Sequence, residues 1–297
     1  MSQDYKDFSP EKKNNLNEKI RNYIAEMPSL PASAEKALQI CNKVNVDPSE
    51  LNQVISLDPV LTGRLLKLIN SAYYGPSTHI KSLVRAIIML GLNTVKNLVL
   101  STAVLSTLPK NRGIEGLNMD GFWYHCLCVG VTSKLLAVKQ GIETRYLEEY
   151  FAAGLLHDIG KIPLNAVLES EYMNMITIAD LNHRPLHLVE NDNLGINHCT
   201  AGELISNLWK LDSSIADTIV HHHNAGDYSG ENANIVCNVA IANYLSIIYD
   251  VGFSGDRKPQ KPEKKVWETI GLDEDIFIEI MEKLYLEIER AKIFLNI

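Results

Sequence analysis

The sequence predicts an all-α protein, on three observations. Apolar residues recur at the three-and-four spacing of an amphipathic helix in segment after segment. Ser9-Pro10, Asp47-Pro48 and Asp58-Pro59 stand at the heads of such segments, a capping oxygen before a proline at the first helical position. No stretch reads as a strand. A chain of 297 residues is long enough to bury a real core, as one large domain or two smaller ones. With 46% hydrophobic and 22% charged residues it has an ordinary globular composition.

In chain order, residues 1–9 read as frayed, and Leu16, Ile20, Tyr23 and Ile24 line the first helix. Met27-Pro28-Ser29-Leu30-Pro31 is an extended break, because the residue before a proline is pushed away from helix. Ala34, Ala37, Leu38 and Cys41 mark a second helix. Leu51, Val54 and Ile55 mark a third, and Leu61, Leu65, Leu66 and Ile69 a fourth. The fourth ends in the polar and aromatic turn Asn70-Ser71-Ala72-Tyr73-Tyr74-Gly75-Pro76, with Tyr73 and Tyr74 expected to pack at the helix end. Helices over 82–90 and 94–108, broken at Gly91, complete a first half of short helices. Pro109 to Gly121, with Gly113 and Gly116, is the boundary candidate, giving units of 1–112 and 113–297.

Phe122, Cys126, Val129, Ser133 and Leu136 then mark a long helix, with His125 beside the stripe. Further helices are expected over 148–159, 165–182 and 199–208. Another, capped by Asp212 or Ser213, carries Ile215, Ile219 and His222 on one face. In the helix over 234–249, Val236, Val239, Ala240, Asn243 and Ile247 share the buried stripe. Residues 252–265 read as a charged loop without core, and two amphipathic helices follow.

Charge and cysteine usage exclude several classes. Lys and Arg total 28 against 36 Asp and Glu, a net charge of −8. The short helices of the first half raise a helix-turn-helix reading, but the acidic balance and the lack of a basic stripe weigh against it. No nucleic-acid partner is expected. No apolar run is read as long enough for a membrane span, and Met1–Asn17 lacks a signal-peptide core, so no membrane partner is expected. Five cysteines give no disulfide framework, and Cys126-x-Cys128 lacks the two-residue gap of zinc knuckles. They read as buried thiols of a reducing cytoplasm.

The chemistry centres on Gly154-Leu155-Leu156-His157-Asp158-Ile159-Gly160-Lys161-Ile162-Pro163. Phe151, Gly154, Leu155 and Asp158 share one helical face, Gly160 is expected to cap the helix, and Pro163 to prevent its continuation. That places a carboxylate on an apolar stripe, where an isolated charge is expensive. A metal ion would satisfy it; so would a hydrogen bond from a neighbouring helix, with His157 as a core residue. His125, His198 and the run His221-His222-His223 also stand near helix ends in this half. Imidazoles with a carboxylate suit iron, manganese, nickel, cobalt or zinc. Adjacent helical positions diverge by about 100°, so His157-Asp158 and His221-His222 suit two ions, or one ligand beside one supporting partner.

These stretches resemble the HDOD family, the HD-related output domains of bacterial signalling proteins. The resemblance rests on Pro28-Ser29-Leu30-Pro31, Asp58-Pro59, Leu65-Leu66, Asn70-Ser71-Ala72-Tyr73-Tyr74-Gly75, Ala86-Ile87 and Leu90-Gly91 in the first half. In the second it rests on Gly154 to Lys161, then Glu190, Gly195, His198, Gly202 and Trp209. Similarity to the wider HD superfamily, including the HD-GYP phosphodiesterases, implies a ligand set of His125, His157, Asp158, His198, His221 and His222 for one or two transition-metal ions. It also implies that Lys161 meets a phosphate oxygen. The usual final aspartate is replaced by Asn243, which brings no negative charge, and the GYP portion is missing around Ile196-Asn197-His198. The resemblance therefore implies a regulatory signalling protein that binds metal and acts through another signalling protein or a nucleotide. A metal-dependent phosphohydrolase acting on a nucleotide or cyclic dinucleotide is the alternative, and a helical interaction protein with relic histidines the third reading.

Overall fold

A computed structural model describes residues 8–43, 46–76, 78–108 and 117–296. Residues 1–7 of the stretch expected to fray over 1–9, and 109–116 of the expected boundary, lie outside the described residues. Every regular element among the described residues is helical. The first six are α1 (Pro10–Ala25), α2 (Ala32–Cys41), α3 (Pro48–Ser56), α4 (Pro59–Ile69), α5 (Leu83–Leu90) and α6 (Leu92–Thr107). Their starts follow the predicted chemistry. Ser9, Asp47, Asp58 and Ser82 each accept a hydrogen bond from a first-turn N–H, and proline opens α1, α3 and α4.

The second half opens with α7 (Met119–Lys139), then α8 (Leu147–Leu156), α9 (Lys161–Leu168), α10 (Ser170–Leu181) and α11 (Leu186–Leu194). It continues with α12 (His198–Trp209), α13 (Ser213–His221), α14 (Ala233–Ile248), α15 (Lys264–Ile270) and α16 (Ile276–Ala291). At the centre, α7 presses against α8 through two glycines. A Cβ on Gly154 would lie 2.8 Å from Gly130 Cα and from Val129 O, and one on Gly130 2.9 Å from Phe151 O. Only residues without a side chain allow that approach, and it brings the middle of α7 to the C-terminal end of α8.

The two halves share buried contacts. The Tyr74 hydroxyl donates to Glu148 Oε2 at 2.8 Å, and Lys134 pairs with the same carboxylate. The Tyr73 ring meets Phe151 and Phe294, each at 5.7 Å between centroids. Asn70 fastens the turn ahead of them, donating to Leu66 O and Ile80 O and accepting from Ile80 N. Trp209 Nε1 donates to Pro28 O at 3.0 Å.

Several expectations are corrected. The predicted helix over 165–182 is two helices, divided at Glu169, whose φ of +42° breaks the spiral. Helix α11 went unread because its apolar residues are few and interrupted by Glu190, Asn191, Asp192 and Asn193. The helix expected over 148–159 ends at Leu156, and Gly160 (φ −66°, right-handed) is not its cap but stands at the head of α9. Pro163 sits in the first turn of α9, where a missing N–H costs nothing. The loop expected over 252–265 is not coreless: Ser254 and Asp256 are buried. On α14, Ala240 and Ile247 are only half-buried while Asn238, Ala242 and Leu245 are buried, because α7, α8, α13 and α15 surround it. Helix α7 does reach the length and apolarity of a membrane span, with mean hydropathy 1.2, but 67% of that window is buried against neighbouring helices. That burial makes it a core helix.

Candidate metal centre

Four elements deliver imidazoles to one carboxylate. Asp158 lies in the turn between α8 and α9 and is fully buried. Its Oδ2 is 3.3 Å from His157 Nε2 and 4.0 Å from His125 Nε2, the latter carried by α7. Its Oδ1 is 3.3 Å from His198 Nε2 and 3.5 Å from His222 Nε2. His198 opens α12, and the approach of that helix depends on Gly160, where a Cβ would lie 1.8 Å from His198 O. His222 follows α13 directly.

Three of the rings are held from their far side. His157 Nδ1 lies 2.7 Å from Gly154 O, and His222 Nδ1 3.2 and 3.1 Å from Thr218 O and Ile219 O. A carbonyl only accepts, so Nδ1 carries the hydrogen and Nε2 is the atom turned inward. His198 is held by Glu190 Oε2, which accepts from its backbone N at 2.8 Å and its Nδ1 at 2.6 Å. Tyr172 in turn donates to Glu190 Oε1 at 2.7 Å. Backbone or carboxylate groups behind metal-binding imidazoles are the ordinary means of orienting them.

Electrostatics separate the rings. Burial pushes His125 down to about 3 and His222 to about 4, so both are neutral at physiological pH. Burial alone would lower His198, but Glu190 carries it well above the usual imidazole range. Burial would raise Asp158, yet His157 and Lys161 hold it well below the carboxylate range. Lys161 Nζ donates to Asp158 Oδ2 at 2.7 Å and lies 3.7 Å from Asp256 Oδ2; burial opposes its charge, and the carboxylates of Asp158 and Asp256 keep it protonated.

The donor set fits a cation. The Nε2 atoms of His125, His157 and His222, with Asp158 Oδ1, are buried and make no hydrogen bond. Such groups cost stability unless something satisfies them, and imidazoles converging around a carboxylate suit a first-row transition metal. The ligand atoms of His125, His157 and Asp158 form one compact group, and those of His198, Cys199, His222 and His223 a second, each with all atoms within 4.8 Å.

The sequence-derived set is thus gathered except for His221. Its ring lies against Tyr228, 4.7 Å between centroids, outside the cluster. The chain leaves the helix after His221, and the turn lets His222 and His223 both face inward. His223 Nε2 is 2.9 Å from His198 Nε2, and its ring stacks on His187 at 4.0 Å. It stands two residues beyond the end of α13, in the run His221-His222-His223. Asn243 is buried on α14 with its Oδ1 unpaired, beside His125. Cys199 and Asp256 escaped the sequence reading, Cys199 as an isolated thiol and Asp256 as one acid in a charged loop. Two clefts reach the cluster, one past His222, His223 and Asn243, the other past His125 and Ser254, and Asp256 lines both.

Comparison with known proteins places these features in a family. The HDOD domain model matches residues 27–225. An uncharacterized protein of Treponema pallidum (strain Nichols) is 25% identical over 227 residues, covering 75% of this chain and 43% of that one. The chain thus spans less than half the length of that relative. The crystal structure of an HDOD domain protein with unknown function from Geobacter sulfurreducens superposes with a TM-score of 0.76 at 24% identity, covering 97% of this chain and 100% of that one. A candidate phosphohydrolase from Shewanella amazonensis SB2B gives 0.69 at 23% identity, covering 93% and 98%. At these identities the structural likeness speaks for the fold.

Proposed function

The chain belongs to the HDOD domain family, and from that premise we propose that it is a regulatory signalling module whose second half holds one or two transition-metal ions. One observation carries the reading: buried imidazole nitrogens that make no hydrogen bond converge on the buried carboxylate of Asp158. His125, His157 and Asp158 would hold one ion, and His198, His222 and His223, with Cys199 beside them, a second. Bound metal would supply Lewis acidity and an activated water. The first half acts by contact. Its Tyr73-Tyr74 turn rests on Glu148 and Phe151 of α8, the helix that leads into His157 and Asp158, so occupancy of the site reaches a surface that another signalling protein can read. A reducing cytoplasm is the proposed setting, supported by five free cysteines.

Phosphohydrolase activity is the second reading, favoured by the two clefts that reach His125, His222 and His223. Against it stand Asn243, neutral where a metal-binding carboxylate would serve, and Lys161, committed to Asp158 and 1% exposed. Metal-loaded protein offered cyclic dinucleotides and a chromogenic phosphodiester separates the readings. The regulatory reading predicts no turnover, with a rise in melting temperature on nucleotide or partner binding. Turnover lost in His157→Ala would establish the hydrolase.

A further inference from the structure

Asp158 has two cations to serve. Its Oδ2 faces His157 Nε2 and His125 Nε2, where an ion held by those three side chains must sit. The same oxygen accepts the 2.7 Å hydrogen bond from Lys161 Nζ. An ammonium and a metal ion at contact distance from one oxygen repel each other, and a dry site screens that repulsion poorly. Lys161 cannot retreat to water, since it is 1% exposed and a buried charge needs a partner.

Asp256 offers that partner. It is 8% exposed, and its Oδ2 lies 3.7 Å from Lys161 Nζ, just outside hydrogen-bond distance. A small shift of the ammonium therefore exchanges one carboxylate for the other. Other buried carboxylates are committed: Glu148 to Lys134 and Tyr74, Glu190 to His198 and Tyr172. Resting on the reading of this cluster as a metal centre, we propose that Lys161 is a resident counter-cation that competes with metal for Asp158 and passes to Asp256 when metal binds.

The exchange has a place to be felt. Asp256 lines both clefts, and its Oδ1 accepts from Leu186 N at 2.7 Å, capping α11, whose own N-cap residue, Pro185, makes no side-chain cap. Helix α11 carries Glu190, which orients His198. Metal arriving beside His125 and His157 is thereby communicated to the cleft mouths and to the second histidine group.

Calorimetric titration of the chelator-stripped full chain with Mn²⁺ tests this in wild type, Lys161→Met and Asp256→Asn. Competition predicts opposite signs: Lys161→Met binds Mn²⁺ about tenfold more tightly and Asp256→Asn about tenfold more weakly. A purely structural lysine would weaken binding when removed. Unchanged or weaker binding by a Lys161→Met protein that still melts cooperatively overturns the proposal while leaving the metal centre standing. Uptake by Lys161→Met but not by wild type upholds the competition and removes native metal binding; uptake by neither removes both. Should Lys161→Met fail to fold, ¹⁵N-lysine NMR of wild type during Zn²⁺ addition decides. A displaced Lys161 Nζ resonance supports the exchange, and a stationary one overturns it.

Discussion

The two ends of α8 each bury a carboxylate, and they treat it differently. At the N-terminal end Glu148 is closed off, paired with Lys134 and accepting from Tyr74, with Tyr73 packed over the lysine at 4.5 Å. At the C-terminal end Asp158 meets four imidazoles, three of which keep an Nε2 with no hydrogen bond. Both carboxylates are buried, Glu148 at 4% and Asp158 at 0% exposure, so burial does little to distinguish them. What differs is the company. A buried carboxylate answered by an ammonium and a hydroxyl holds the fold together; one ringed by imidazole nitrogens that make no hydrogen bond marks where something binds.

Breaking the closed end is expected to have the largest effect on stability. Glu148→Ala leaves the Lys134 ammonium and the Tyr74 hydroxyl without their partner, and should cost about 3 kcal/mol or more. Denaturant melts read the loss, and elemental analysis of the folded fraction should show unchanged metal. Chelation probes the open end. Removing a metal present at a hundredfold over its dissociation constant lowers stability by about 2.7 kcal/mol, and the chelator-dependent fall in melting temperature should vanish in His157→Ala.

Acid sharpens the contrast in the metal-free protein. His125 and His222 are held down to about 3 and about 4 by burial, below the ordinary 6.5. Between those values and 6.5 the unfolded chain binds more protons than the folded one, so their contribution is intact above 6.5 and is lost as pH falls. His198 is raised instead, so below 6.5 it is protonated in both states and its pairing with Glu190 adds no slope there; that contribution is lost only as pH rises. Stability should therefore fall as pH drops from 6.5 toward 4, measured by urea melts across that range. The smallest effect is expected at His221, half-buried against Tyr228. His221→Ala should shift stability by about 0.5 kcal/mol or less and leave metal binding unaltered, whereas His223→Ala should reduce it.

Local chemistry made most of the fold legible. Capping oxygens and first-turn prolines located the starts of α1, α3 and α4, and apolar spacing found the long helices. Where tertiary contact overrides local signal, reading failed. Helix α11 has little apolar pattern of its own and is capped from seventy residues away by Asp256. Gly160 looked like a terminator, but it is required by the closeness of α12. In the site, His125, His157, Asp158, His198 and His222 were nominated from their places at helix ends and by family resemblance. His221 was taken with His222 as the histidine pair that the resemblance implies; the chain leaves the helix after His221, and that turn brings His223 to His198 instead. Asp256 could not be seen from sequence, since nothing local says that its loop folds inward.

Elemental mass spectrometry of untagged protein, purified without chelator, tests the central claim most directly, with His157→Ala prepared in parallel. The account predicts one or two equivalents of iron, manganese, zinc, nickel or cobalt in wild type and their loss in the variant. Wild-type protein that remains metal-free after reconstitution, and melts at the same temperature with or without added metal, would contradict it.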